Sequence, residues 1–325
     1  MSNQKQYFML TNTRNPALIA LVLTLAAAPP ASGQSQVGTR ASGMAGAFVG
    51  VADDATAVYW NPAGIATGSI VSVVLDAGRF DSGLSDPQTA DRHADTGAIV
   101  AMSATAIGLA YYRLGTYVTQ AAEPAVAGQD GREEVGHSVH ALTTDTAGVS
   151  LVHSLSEHLV VGVTPKVMRG NGGLAADLDA GVMAWAGKFR VGLVARNLTT
   201  PAFAKATVGR PDEEIELDRE VRIGGAWGSG WTGISRVIVS VDGDVTSRPA
   251  PGGDRRDVAA GVETWWMNQR LGLRGGVRGS TIGGARAAVA AGLSAGLKPG
   301  VFVEAHVARG HEGERSWSVG ARMMF

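Results

Sequence analysis

The chain contains no cysteine. Disulfides, thiolate metal sites and cysteine nucleophiles are therefore excluded at the outset. It also lacks any charge excess: 28 Lys and Arg stand against 29 Asp and Glu, for a formal charge of −1. No long-range field favours nucleic acid or an acidic partner, and no nucleic acid is expected. Helical periodicity is nearly missing beyond residue 69, and past the N-terminus no apolar run reaches the roughly 20 residues a membrane-spanning helix needs. What the chain has in abundance is glycine, 45 of 325 residues, about twice ordinary usage. That surplus suits tight strand curvature and turns.

The N-terminus reads as an export signal. Lys5 and Arg14 precede the apolar run PALIALVLTLAAAPP, and small residues follow in ASGQSQ. Charged, greasy and small-residue parts in that order define a secretory signal peptide, here ending at the Ala31-x-Gly33 pattern. Pro29 and Pro30 cut the run short for a permanent anchor. Residues 1–33 are expected to be removed on export.

The remainder reads as strands. In GERSWSVGARMMF, Trp317, Val319, Ala321, Met323 and Phe325 share one face, and Ser316, Ser318, Gly320, Arg322 and Met324 the other. Leu271, Leu273 and Val277 likewise oppose Arg270, Arg274 and Arg278, while Val301, Val303, Ala305 and Val307 oppose Phe302, Glu304 and His306. A strict period of two means a strand between two different environments. About fourteen such segments follow one another: 69–80, 97–103, 106–114, 141–154, 158–169, 174–187, 188–198, 219–228, 233–244, 254–265, 269–279, 284–294, 298–308 and 314–325. Odd-numbered gaps are mostly long and polar, with stretches at 81–96, 115–136 and 199–218, whereas even-numbered gaps such as SEH and MNQ are tight. Long loops at one end and short turns at the other are the asymmetry of a bacterial outer-membrane barrel. Closing an antiparallel sheet on itself removes its free edges and lets it sit in lipid. A soluble β-sandwich or secreted barrel would share the alternation and is the competing architecture. The even strand count, the loop asymmetry and the terminal Phe325 favour the membrane barrel.

One stretch stands apart: RASGMAGAFVGVADDATAVYWNPAGIA, residues 40–66. Its Gly/Ala-rich start, Asp53–Asp54 pair, Tyr59–Trp60 and Asn61-Pro62-Ala63-Gly64 resemble the N-terminal motif of FadL-type outer-membrane transport proteins and the PorV/PorQ family. The later phrases DLDAGVMAW, RVGLVARNL, VRIGGAWG, VAAGVETWW and RLGLRGGV also resemble that group. The resemblance implies an all-β, fourteen-stranded barrel (69–325) with a short helical hatch (34–68) folded into its lumen. Residues 42–52 can form a helix of small side chains, with Asp53 or Asp54 capping a turn near Ala55 and Pro62 biasing Asn61 to an extended conformation. The hatch motif is taken as Arg40, Gly43, Gly46, Asp53, Asp54, Asn61, Pro62, Ala63 and Gly64.

A buried acid pair needs cationic partners. Arg40 is the local candidate; Arg190, Arg196, Arg222, Arg274, Arg278 and Arg322 are candidates from the wall. By alternation the lumen-facing polar set includes Arg190, Arg196, Arg222, Asp242, Glu263, Arg274, Glu304 and Arg322, with Asp179, Arg236 and His306. Met168, Met183, Trp185 and Phe302 offer only part of an apolar track.

No catalytic constellation emerges. The seven histidines are scattered, and His137 with His140 lacks the carboxylate or cysteine support that a metal site needs. Asp242-Gly243-Asp244 lacks the rest of a calcium loop. No enzyme, metal or cofactor is expected. Two functional expectations remain: passage of a hydrophobic or amphipathic solute past the hatch, or a PorV-like component that docks secreted proteins or a secretion machine through the outer loops. Expected partners are outer-membrane lipid and, through the C-terminal strand ending at Phe325, the barrel assembly machinery. Hydrophobic small molecules or secreted proteins would be the cargo or client.

Overall fold

The computed structural model describes residues 37–85, 92–121, 137–170, 173–204, 214–232, 235–248, 254–283 and 286–325. Fourteen strands form a closed antiparallel barrel. They are β1 (Val71–Ser85), β2 (Arg92–Ala104), β3 (Ile107–Ala121), β4 (His137–Ser156), β5 (Leu159–Gly170), β6 (Gly173–Ala186), β7 (Phe189–Arg196), β10 (Glu220–Thr232), β11 (Ser235–Asp244), β12 (Asp257–Trp266), β13 (Leu271–Ser280), β14 (Ala288–Lys298), β15 (Val301–Arg309) and β16 (Arg315–Met324). Within 199–218, expected to be loop, β8 (Ala202–Ala204) pairs with β9 (Glu214–Glu216) as a separate two-stranded sheet.

Each of the fourteen sequence segments corresponds to one barrel strand. The ends differ most in β1 to β4, which run past the alternating stretch. The β3–β4 ladder continues from Ile107↔Leu151 out to Ala121↔His137. Backbone pairing does not need an apolar face, so ladders extend beyond the segment that hydrophobic alternation marks. The barrel closes where the two ends of the sheet meet: the Val71 N–H donates to the Phe325 carbonyl at 3.1 Å, and the Phe325 N–H returns to Val71 at 2.9 Å.

The two faces of the wall are unlike. Val100, Leu151, Val167, Val191, Val241, Leu273, Val303 and Val319 are exposed on the outside, whereas Asp179, Asp242, Glu263, Arg274, Glu304 and Arg322 are buried within. A soluble sandwich would turn its apolar faces inward. A wall this apolar outside and charged inside suits a lipid exterior.

Residues 37–65 lie almost wholly buried inside the barrel and form its largest apolar cluster, with Met44, Phe48, Val49, Val58 and Trp60 against wall residues Ile99, Tyr112, Met183 and Val194. Two short helices, α1 (Thr39–Gly43) and α2 (Ala57–Trp60), flank irregular turns. The helix expected over 42–52 is thus replaced by α1, starting earlier, and a chain of turns. Ala45 and Gly46 have φ of 55° and 82°, outside the right-handed helical region. Three glycines within eight residues carry too little helix propensity to resist the shape of the lumen. Asn61 is extended, and its side chain accepts a 3.2 Å hydrogen bond from the Ala63 N–H. Pro62 then opens a 3₁₀ turn over Pro62–Thr67. Proline fits there because the first N–H of a helical turn has no partner to lose.

Candidate functional site

The hatch meets the wall through three kinds of contact. The first is a chain of alternating charges. Arg40 on α1 donates to Asp53 at 2.5 Å, to Asp54 at 3.0 Å and, through two nitrogens, to Glu263 of β12 at 2.7 and 2.9 Å. Glu263 also accepts from Arg274 of β13 at 2.7 Å, Arg274 continues to Glu304 of β15 at 2.8 Å, and Glu304 accepts from Arg322 of β16 at 2.9 Å. The hatch is thereby joined to four strands by side chains that are nearly all excluded from water. Buried charges persist only when paired and hydrogen-bonded on this scale. Burial alone would raise the Asp53 carboxyl, but Arg40 and then Arg190 hold it below the usual carboxylate range.

The second contact is a carboxylate that captures hatch backbone. Asp242 of β11 accepts the N–H groups of Phe48 and Val49 at 2.6 and 2.7 Å. Turns leave such donors without chain partners, and a buried anion satisfies two at once. Asp76 of β1 does the same for the Thr39 N–H at 2.6 Å. Asn61 donates to the carbonyls of Val49 and Val182, at 3.3 and 3.0 Å, binding two hatch turns to β6.

The third contact is made by absence of side chain. A Cβ added to Gly162 would stand 2.5 Å from the Ala63 nitrogen, and one at Gly192 would stand 2.5 Å from the Val49 oxygen. Gly276 makes similar room for Met44, and Gly224 for Gly50. Many wall glycines therefore serve the close approach of two backbones, a use distinct from curvature.

The remaining expected site residues are distributed around this interface. Asp54 caps α2's approach, accepting from the Thr56 N–H and hydroxyl at 2.9 and 2.5 Å. Gly43 faces Gly292, Gly46 makes the positive-φ turn, and Gly64 packs against the Ala52 backbone. Arg190 reaches Asp53 at 3.4 Å and the Val51 carbonyl at 3.2 Å. Arg222 pairs with Asp242 and Asp244, and Arg278 with Glu314, so neither serves the acid pair. Arg196 also leaves the acids alone: its guanidinium lies 4.5 Å above the Tyr59 ring and pairs with Glu220 at 3.5 Å. Arg274 and Arg322 reach the acids only through Glu263 and Glu304.

The partial apolar track expected from Met168, Met183, Trp185 and Phe302 is dispersed. Met183 joins the hatch core, with Trp185 packed against it; Met168 packs with Leu142 and Phe203; Phe302 stacks edge-on with Trp265 under Arg322. Trp60 and Trp265 are likewise interior, while Trp231 is exposed near a strand end. The side chains of His93, His137 and His140 lie outside those described. No cluster of three potential metal ligands occurs among the described residues.

Above α1, away from the short turns, a small recess is bordered by Val37, Ser42, Ala45, Ile99, Leu114 and His306, among others. Its lining mixes apolar side chains with polar and charged ones, among them Asp76, Arg278 and His306.

The barrel is similar to three solved structures. These are "CymD monoaromatic hydrocarbon channel" (TM-score 0.58, 10% identity, covering 89% of this chain and 97% of that one), a Pseudomonas aeruginosa FadL homologue (0.56, 11%, 92% and 100%) and the Pseudomonas putida toluene transporter TodX (0.55, 8%, 91% and 98%). Identity this low establishes a shared fold. Residues 169–244 match a family described as "F plasmid transfer operon, TraF, protein". No curated protein matches the chain.

Proposed function

We propose that this chain is a FadL-type channel of the Gram-negative outer membrane, admitting a hydrophobic or amphipathic solute past its N-terminal hatch. In this reading residues 1–33 are a cleaved signal peptide, and the assembly machinery recognises the terminal strand through Phe325. The observation that carries the proposal is the hatch itself: a separate segment fills the inner lumen, and a partly apolar recess lies directly on its outer side. A recess ending on a removable floor is what a gated route requires. The fold neighbours named for hydrocarbon and toluene passage support the choice of solute class. Uptake of monoaromatic hydrocarbons and long-chain fatty acids by a strain lacking the gene tests it. Restored uptake on complementation is expected, and unchanged uptake in the deletion overturns it.

A second reading is favoured by the glycine contacts, which interlock two backbones and suit a permanent plug. The barrel would then be a PorV-like component whose outer loops dock secreted proteins or a secretion machine. Exported proteins co-purifying with the barrel, together with unchanged solute uptake, are its expected signature.

A further inference from the structure

Three exposed arginines share one sector of the outer wall. Arg309 of β15 and Arg315 of β16 are directly opposite each other in the ladder, and both are exposed. One row inward on the next strand pair, exposed Arg79 of β1 faces Trp317 of β16. Two like charges directly opposite on a sheet repel. Among the described residues, none of the three arginines makes a side-chain ion pair with a carboxylate that would offset this. Asp81 stands opposite Arg315 in the ladder, so one carboxylate shares this sector with the three arginines.

The comparison with β3–β5 is direct. There two exposed arginines, Arg113 and Arg169, stand opposite Asp145 on either side, and Asp145 accepts from Arg113 at 2.8 and 2.9 Å and from Tyr111 at 2.7 Å. The arginines of the β1–β15–β16 sector have no such arrangement. They sit toward the loop ends of their strands. One row below Arg309 and Arg315, level with Arg79 in the ladder, come Trp317 (51% exposed) and Val307 (61%), and further down the same face Val319 (52%) and Val303 (46%). A cationic rim, then an indole, then a branched aliphatic slope matches the layers of a lipid: phosphate, interface and acyl chain. Guanidinium groups are suited to phosphate because their planar forks bind it bidentately.

We infer that Arg79, Arg309 and Arg315 form a binding site for the phosphorylated headgroup of an outer-leaflet glycolipid of the lipid A type, with its acyl chains along Val307 and Val319. The inference rests on the outer-membrane reading but not on transport. The headgroup phosphate occupies the space between Arg309 and Arg315 and removes their repulsion, so bound lipid stabilises the β15–β16 pair beside the barrel seam.

The test uses the full mature protein, refolded in detergent and titrated with diphosphorylated lipid A, with the same lipid after dephosphorylation, and with phosphatidylglycerol; binding is read by native mass spectrometry. Folding is checked separately by heat-modifiable migration. The expected order places diphosphorylated lipid A first, with a weakening of roughly fivefold per arginine lost and on the order of 100-fold for Arg79→Gln/Arg309→Gln/Arg315→Gln. Arg113→Gln should change lipid binding little. Equal binding of phosphorylated and dephosphorylated lipid A by the unaltered protein overturns the inference, whatever the folding of the variants. So does a folded triple variant that binds normally. Failure of the unaltered chain to form a heat-modifiable barrel would instead defeat the outer-membrane reading, and this inference with it. Unchanged solute uptake bears only on transport.

Discussion

Two buried charge networks in this barrel use the same chemistry to different ends. One runs from Asp53 and Asp54 through Arg40 to Glu263, Arg274, Glu304 and Arg322. The other joins Arg248 to Glu220 and Asp257, at 2.9 and 3.0 Å, and Arg255 to Asp257 at 2.5 Å, near the outer ends of β10 and β12. Both are carboxylate–guanidinium pairs held away from water. Only the first has members on the hatch. The second lies in the wall and touches the hatch through Arg196, which pairs with Glu220 and stacks over Tyr59. What a buried ion pair contributes therefore depends on whether its two halves belong to pieces that could separate.

The cysteine-free background provides a readout for that difference, because one introduced thiol at the fully buried Ala47 (Ala47→Cys) reports hatch opening through its labelling rate. The largest effect is expected for Arg40→Ala. It leaves three carboxylates without their shared cation, a loss of about 3–5 kcal/mol, and labelling should accelerate by roughly 100-fold or more. Labelling unchanged by Arg40→Ala would mean that the charge chain does not hold the hatch. Asp242→Ala comes next. It frees two hatch N–H groups and should cost about 1.5–3 kcal/mol, again visible as faster labelling with the wall's melting temperature nearly preserved.

Acid should act more gently. The Asp53 pKa is lowered on folding, so its contribution is present above the ordinary carboxylate range and is lost only as pH falls through the depressed value. Hatch labelling, divided at each pH by the rate for the same thiol in unfolded chain to remove the loss of thiolate, should stay flat from neutral pH to about pH 4 and rise below that. A rise centred between pH 5 and 6 would show that another group controls release. The smallest effect on the hatch is expected from Asp257→Leu. It should lower the melting temperature of the barrel by removing the carboxylate that Arg255 and Arg248 share, with Glu220 still paired to Arg248, and leave Ala47→Cys labelling unaltered. Faster labelling in that variant would erase the distinction between the two networks.

The barrel was legible in the sequence because each strand separates two solvents, and a period of two records that separation residue by residue. Trp317, Val319 and Ala321 against Arg322, Ser318 and Ser316 is enough to orient β16. The outer extensions of β1 to β4 were less legible, since backbone pairing there proceeds without an apolar face. The hatch was recognisable from Asn61-Pro62-Ala63-Gly64 and its acid pair, yet its internal shape was not. A stretch rich in Gly and Ala takes its conformation from the cavity that encloses it, and α1 with its following turns replaced the longer helix. The partners of the acids were half legible: Arg40 and Arg190 contact them, while Arg196, Arg222 and Arg278 have other carboxylate partners or aromatic rings. Alternation assigns a face, but a partner depends on depth along a tilted strand. Asp76 and the glycines Gly162, Gly192, Gly224 and Gly276 went unnoticed as hatch contacts. Their signal was present, since a glycine on the inward face of a strand leaves a gap that something must fill.

The seam between β1 and β16 sets an order of events. These strands are the first and last of the sheet, so the cylinder stays open until β16 pairs with β1. Closing so long a loop carries an entropic cost that local hairpins do not. The hatch precedes β1 directly, separated from it by only a few residues after Thr67. A segment already nested among β5 to β14 would deliver the start of β1 to the place where Phe325 will meet it. In that sense the hatch also braces one half of the barrel's last joint, holding Asp76 and Ser72 of β1 through the N–H groups of Thr39 and Ala55.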